Sequence, residues 1–379
     1  MSAAPDISVL AAKYDRVALV LQGGGALGAY QAGVYQALSE AGCELNWVSG
    51  VSIGAINAAL IAGNPPDRRL AALEEFWTTV SSGNLGLSPT SGDIFRDFYN
   101  QASAVMTMAW GRPGFFAPRP INPWFAPKGD ESALSFYDTS ALHATLEKLV
   151  DFERVNDPKK RFSVGAVNVR TGNFIYFDSR DRRIGPEHIM ASGALPPALP
   201  AVTIEGESYW DGGLVSNTPL SHLLEEEAPA STLVFQVDLF SASGPPPKAM
   251  ADVLVRQKDI TYSSRTRQNT DAFRRTHDLK IRLRDALRRM PEGALTAEER
   301  TLIAEYSKAD DVNIVHLIYQ LKDYEGDGRD YEFSAASMRE HWRSGYEDTL
   351  NTLRHPEWLK RSALHGGVAV HDVHREDAK

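Results

Sequence analysis

Hydrophobic positions in this chain fall into short solid runs, separated by stretches with apolar residues three and four apart. Residues 16–22, Arg-Val-Ala-Leu-Val-Leu-Gln, form the first solid run and read as a strand buried on both faces. Gly23-Gly24-Gly25 ends it, and Ala26 to Ala41 then carries apolar residues at helical spacing, with Gly42 as a stop. A second strand begins at Asn46 and breaks at Gly50-Val51-Ser52-Ile53-Gly54. It runs directly into a helix of small residues that ends near Gly63-Asn64, and Pro65-Pro66-Asp67 opens a further helix to about Val80. Strand and helix alternating in this way predict a parallel sheet with helices on its faces.

Residues 81–137 interrupt the rhythm. They are rich in Gly, Pro, Met and aromatics, among them Phe95, Phe98, Met106, Met108, Trp110, Phe115, Phe116, Trp124 and Phe125. One or two helices with irregular loops are expected, and two uses stand open: a lid or acyl channel, or ordinary core beneath a long insertion. Helical spacing returns over 138–150, with Asp138 or Ser140 as cap. Phe162–Val169 and Asn173–Asp178 read as a hairpin around Thr171-Gly172, and a short helix near Glu187–Ser192 precedes the stiff turn Gly193-Ala194-Leu195-Pro196-Pro197. A second hairpin around Glu205-Gly206-Glu207 leads into Trp210-Asp211-Gly212-Gly213. Thr218-Pro219 starts a helix, and Thr232–Leu239 is another buried strand.

Ser243-Gly244-Pro245-Pro246-Pro247 marks a boundary. Beyond it, Lys248 to Met290 holds twelve Lys/Arg against five Asp/Glu, a local +7 in a chain of net charge −9. This stretch reads as mostly helical, either a solvated face or a surface for anionic lipid. Asn313–Gln320 is a further strand candidate and Ser334–Leu353 a helix capped by Ser334. The expected organisation is a tail over 1–15 and a catalytic domain over 16–243. A mostly helical extension over 248–358 packs on that domain, and a flexible tail follows over 359–379.

The chain has 379 residues, 43% of them hydrophobic and 23% charged, an ordinary globular composition. Its acidity argues against nucleic acid as a partner. A lone cysteine, Cys43, excludes an intrachain disulfide. With neither a signal peptide pattern nor an apolar run of about 18 residues, the expectation is a cytoplasmic protein able to touch membranes peripherally. Nothing in the sequence bears on oligomeric state.

Candidate chemistry centres on the Gly50-x-Ser52-x-Gly54 turn. Such a strand-to-helix elbow lifts a serine oxygen clear of the sheet and sets it at a helix amino end. A serine nucleophile also needs oxyanion donors and a base. Gly23, Gly24 and Gly25 supply a bare backbone whose N–H groups can converge. The same residues spell Gly23-x-Gly25-x-x-Gly28, a dinucleotide fingerprint, but the second strand ends without the acidic side chain that a ribose requires, Glu44 lying before it. No histidine, His188, His222, His277 and His316 included, sits in a small-residue turn after a strand. Asp211 does, followed by Gly212-Gly213. No cluster with metal-ligand spacing is present, and no cofactor is implied.

Gly23-Gly24-Gly25-x-x-Gly28, Gly50-x-Ser52-x-Gly54 and Asp211-Gly212-Gly213, in that order, resemble the patatin-like phospholipases over roughly Val17 to Asp238. Ala191-Ser192-Gly193-Ala194-Leu195-Pro196 resembles that family's stretch before its aspartate, and the carboxy-terminal part looks like the extension of one bacterial subgroup. The resemblance implies a three-layer α/β/α fold around a mostly parallel sheet, with a largely helical carboxy-terminal extension. It also implies hydrolysis of lipid acyl esters by a Ser-Asp dyad, with Ser52 as nucleophile, Asp211 as base and the glycine turn as oxyanion hole. The substrate would be a phospholipid, a lysophospholipid or a related ester. Rival outcomes are acyl transfer from the same acyl-serine and a weakly catalytic lipid-binding module. Leu27 stands where relatives often carry Arg or Lys, which leaves backbone donors alone to hold the oxyanion.

Overall fold

The computed structural model describes residues 4–82, 93–224, 230–263, 266–306, 311–355 and 367–372. Nine strands make one sheet: β1 (Arg16–Leu21), β2 (Trp47–Gly50), β3 (Arg161–Asn168), β4 (Phe174–Asp178), β5 (Val202–Ile204), β6 (Glu207–Asp211), β7 (Thr232–Asp238), β8 (Val312–Ile318) and β9 (Val368–Asp372). The order β9-β8-β7-β1-β2-β3 is parallel throughout, while β4 and β6 pair antiparallel with β3, and β5 with β6.

Period-two alternation along β1 sorts the two faces. Val17, Leu19 and Leu21 pack with the helices α1 (Ala29–Glu40), α2 (Ile53–Ala62) and α3 (Arg69–Ser81). Ala18 and Val20 join Val234 and Ile314 beneath Leu220 and Leu223 of the short helix Leu220–Leu224, with Phe273 of the helix Thr266–Leu287 against them. The result is the expected three-layer α/β/α arrangement, mostly parallel.

Most of the expected elements form, with adjusted ends. The first helix opens as a 3-10 turn, Gly25–Gly28, before α1 begins. Thr139 is the N-cap of the helix Ser140–Leu149 without a side-chain capping bond, and Asp138, one residue earlier, accepts the Ser140 N–H at 3.0 Å. The Ser334 side chain caps α4 (Ala335–Arg354) by accepting the Ser337 N–H.

Beyond residue 243 the chain is helical over Met250–Tyr262, Thr266–Leu287, Ala297–Tyr306 and α4. It is nevertheless no mere appendage, because β8 and β9 extend the central sheet. The flexible tail expected over 359–379 contains β9, a strand that its polar surroundings concealed; 356–366 and 373–379 lie outside the described residues. Helix α4 lies directly on α1. A Cβ on Gly33 would stand 1.9 Å from the Trp342 carbonyl oxygen, and one on Gly345 would stand 2.0 Å from that of Tyr30. Two glycines thus let the helix backbones touch, and bonds from Trp342 Nε1 to Gln36 and from Tyr346 to Glu40 flank the crossing.

Candidate active site

Sheet topology brings the two motif-bearing turns together. On β3, residues 163–167 pair with β4 along one edge. The other edge is shared: β2 ends with Gly50 opposite Val164, and β6 arrives from the opposite direction with Asp211 opposite Ala166. The two strand ends meet head to head beside Gly165. Gly212 makes the approach possible, since a Cβ there would lie 2.7 Å from the Gly165 carbonyl oxygen.

At the end of β2 the chain turns through Val51 and Ser52 into α2. Ser52 has φ 56° and ψ −125°, a conformation that L-residues adopt only when their surroundings impose it. Its N–H donates to both the carbonyl and the hydroxyl of Ser192 at 3.1 Å, and the Ser192 hydroxyl donates to the Gly165 carbonyl at 2.7 Å. The flanking glycines are packing requirements. A Cβ on Gly50 would meet the Gly54 carbonyl at 2.3 Å, and one on Gly54 would meet the Leu21 carbonyl oxygen at 2.3 Å.

Asp211 is 2% exposed. Burial pushes its carboxyl up to about 6, and hydrogen bonds from the Ser52 side chain and the Gly213 N–H pull it partly back. The Gly213 N–H reaches Asp211 Oδ1 at 2.7 Å, and the Asp211 N–H donates to Ala194 at 3.0 Å. A buried carboxylate with few donors is a stronger base than one in water.

The glycine turn differs from expectation at its first member. The Gly23 N–H is already engaged, donating to the Asn217 carbonyl at 3.2 Å, so it is not spare for an oxyanion. Among the described residues, the amides of Gly24, Gly25 and Ile53 have no protein acceptor. Ile53 is the first residue of α2, where helix N–H groups lack intrahelical partners. Gly28 lies one turn deeper, against the Ile53 side chain and Trp77, and Leu27 is wholly buried in the core.

Several supporting residues gave no motif signal. The Gln22 side chain accepts the N–H groups of Leu239 and Phe240 at 2.6 and 2.9 Å and donates to Thr218. Asn57 donates to the Gly28 carbonyl at 2.9 Å and accepts from Trp77 Nε1 at 3.0 Å. Asn217 donates to both the Gly23 and Tyr262 carbonyls at 2.9 Å. Buried amides on strand ends or inside helices signal such roles only once their neighbours are known.

A cleft opens over Ser52 and Asp211. Ile56, Phe115, Phe116, Leu195, Leu199, Phe240 and Phe333 give it apolar walls, and Tyr137, Tyr262, Asp330 and Tyr331 line the rest. The aromatic stretch therefore splits. Phe115 and Phe116 are buried wall, whereas Phe98, Trp110, Trp124 and Phe125 are exposed and form no core; the Phe95 side chain lies outside the described residues. Among the described residues, no histidine lines the cleft. His188 accepts the Gly185 N–H, His222 meets Asp178 and stacks on Tyr176, His277 stacks on Phe273, and His316 is buried in β8. Among the described residues, no group of three or more His, Cys, Asp or Glu is placed to hold a metal ion.

A serine against a buried carboxylate and beside free backbone amides, on a three-layer α/β/α scaffold, defines the class of protein at the level of architecture. The family model described as patatin-like phospholipase matches residues 19–224, and one described as patatin phospholipase matches 260–364. The chain belongs to the patatin-like phospholipase family. It is 26% identical over 239 residues to lysophospholipase nte1 of Aspergillus terreus, covering 63% of this chain and 13% of that protein. With lysophospholipase NTE1 of Mycosarcoma maydis it shares 25% over 239 residues, covering 63% and 10%. The chain thus spans a small part of the length of these relatives. Solved structures similar to it include VipD from Legionella pneumophila, with a TM-score of 0.38 and 16% identity over 89% of this chain and 66% of that one. The type III effector ExoU follows, with a TM-score of 0.33 and 14% identity over 92% and 54%.

Proposed function

We propose that the protein is a serine hydrolase of lipid acyl esters, with Ser52 as nucleophile and Asp211 as its base. The observation that carries this reading is the Asp211 carboxyl, buried against the Ser52 side chain and raised to about 6, with no histidine among the described residues lining the cleft. At neutral pH it is ionised yet basic enough to take the Ser52 proton. Ser52 Oγ attacks the ester carbonyl, and the oxyanion is held by the amides of Gly24, Gly25 and Ile53. As the ester C–O bond breaks, Asp211 returns the proton to the leaving alkoxide, and an acyl-serine remains. Asp211 then takes a proton from water, hydroxide attacks the acyl carbon, and fatty acid leaves as Ser52 is reprotonated. Each half crosses an oxyanion held by the same donors.

The apolar walls suit a fatty acyl chain, and the relatives named lysophospholipase support a phospholipid or lysophospholipid substrate. The lobe between the paired segments Ala117–Pro118 and Tyr137–Asp138 supports peripheral contact with a lipid surface. Trp124 and Phe125 on it are 83% and 85% exposed; tryptophan is of the kind that settles at a membrane interface, and phenylalanine adds apolar area to bury there. Its base is fixed to the cleft wall, the Tyr137 N–H donating to the Ala198 carbonyl at 3.0 Å. Among the described residues, no helix is long and apolar enough to cross a membrane.

The test is fatty-acid release from phospholipid and lysophospholipid by wild type and Ser52→Ala, with a fluorophosphonate probe in parallel. Loss of both release and labelling in the variant supports the reading. Unchanged release removes it, and an acceptor alcohol that diverts the acyl group from free acid would favour acyl transfer.

A further inference from the structure

Oxyanion donors act only if they are held within a fraction of an ångström of the charge they meet. Gly23-Gly24-Gly25 has no side chain with which to hold itself, and Leu27 is wholly buried among apolar neighbours. The support comes instead from the carboxy-terminal half of the chain, at both ends of the loop.

At the Gly23 end, the Asn217 side chain bridges the carbonyls of Gly23 and Tyr262, at 2.9 Å each. Tyr262 is the last residue of the helix Met250–Tyr262. At the Gly25 end, φ is +55° and a Cβ would stand 2.2 Å from the Asp330 carbonyl oxygen. The backbone of Asp330 therefore lies directly on the loop. Asp330 belongs to the 3-10 turn Asp327–Tyr331, and its carboxylate accepts from Lys258 Nζ at 2.8 Å. The same ammonium bonds the Asp327 carbonyl and lies 3.3 Å from Asp327 Oδ1. Lys258 and Tyr262 stand one turn apart on one helix, so a single helical face serves both ends of the loop. Beside them, Arg329 pairs with Asp259 of that helix.

We propose that Lys258 and Asp330 are positioning residues that brace the glycine loop in its oxyanion-binding shape. The inference rests on the reading of Ser52 and Asp211 given above. A partly buried ion pair is a poor source of net stability but can fix register, and register is what this loop requires. The carboxy-terminal half thereby completes the reaction centre.

The experiment measures kcat and KM on a short soluble ester for Lys258→Arg, Lys258→Gln, Asp330→Asn and the double variant Lys258→Gln/Asp330→Asn, alongside Ser52→Ala. The double variant leaves no lone buried charge, and circular dichroism checks its fold. Acylation and deacylation use the same donors, so a displaced loop slows both. The expected result is a kcat lower by about ten- to a hundredfold in the double variant, with KM within about twofold and most of kcat retained by Lys258→Arg. If the double variant does not fold, Asp330→Asn and Lys258→Gln give the same comparison singly. A folded variant with kcat within twofold of wild type, or one in which KM alone rises, overturns the brace. Activity surviving in Ser52→Ala instead removes the reading beneath it, so the two failures are distinguishable.

Discussion

At Asp211 one observation yields two opposite expectations. Its folded pKa, about 6, lies above the ordinary 3.8, so the folded protein binds this proton more tightly than the unfolded chain does. Stability from this group is therefore full below 3.8 and is lost as pH rises through about 6. Catalysis needs the ionised form and should gain over the same window. The acid limb of kcat/KM on a soluble ester is expected near pH 6, set by the free enzyme's base. Asp211→Asn should abolish turnover yet stabilise the fold at neutral pH by up to about 3 kcal/mol, the value of roughly two pKa units. Chemical denaturation at pH 8 and at pH 4 checks this: the gain should shrink at the lower pH, and a gain equal at both would contradict the burial account. The meeting of Ser52 with Asp211, and the packing role of the elbow glycines, could be expected from the sequence because the proposed chemistry constrains residue type at fixed spacing. The engagement of the Gly23 N–H was not visible in the sequence, because its acceptor, the Asn217 carbonyl, comes from a remote segment.

Among the elements, the early strands and helices were readable because each carries its own period: solid runs in β1 and β7, helical spacing in α1 and α3. The strand β9 was not, since a short edge strand with half-buried positions hardly differs in composition from a tail. Nor was the α1–α4 contact, which depends on Gly33 and Gly345 meeting backbone on the partner helix. Neither glycine belongs to a motif, and isolated glycines inside helical patterns read only as weak points. Gly345→Ala places a methyl group 2.0 Å from the Tyr30 carbonyl oxygen and must separate the helices. A loss of about 3 kcal/mol is expected, at the upper end for overpacking, measured by urea denaturation. A loss below 0.5 kcal/mol, within the range of an ordinary surface substitution, would contradict the close crossing.

For the molecule as a whole, the two halves of the chain share one sheet and one cleft. The chain before residue 243 supplies Ser52, Asp211 and the glycine loop, and the chain beyond it supplies Tyr262, Asp330, Tyr331 and Phe333 to the cleft walls. The lipid-facing side proposed for this assembly is the exposed lobe around Trp124 and Phe125. Trp124→Ser/Phe125→Ser should weaken sedimentation with phospholipid vesicles and lower turnover of vesicle lipid, while hydrolysis of a soluble ester stays within twofold. Equal losses on both substrates would point to damage in the cleft instead. The central claim is that a serine and a carboxylate suffice without histidine, and it is tested most directly by kcat/KM on one soluble ester for Asp211→Asn beside His188→Gln, His222→Gln, His277→Gln and His316→Gln. The account predicts a loss of at least a thousandfold for Asp211→Asn and less than tenfold for each folded histidine variant. A histidine variant that folds but loses as much as Asp211→Asn would contradict it.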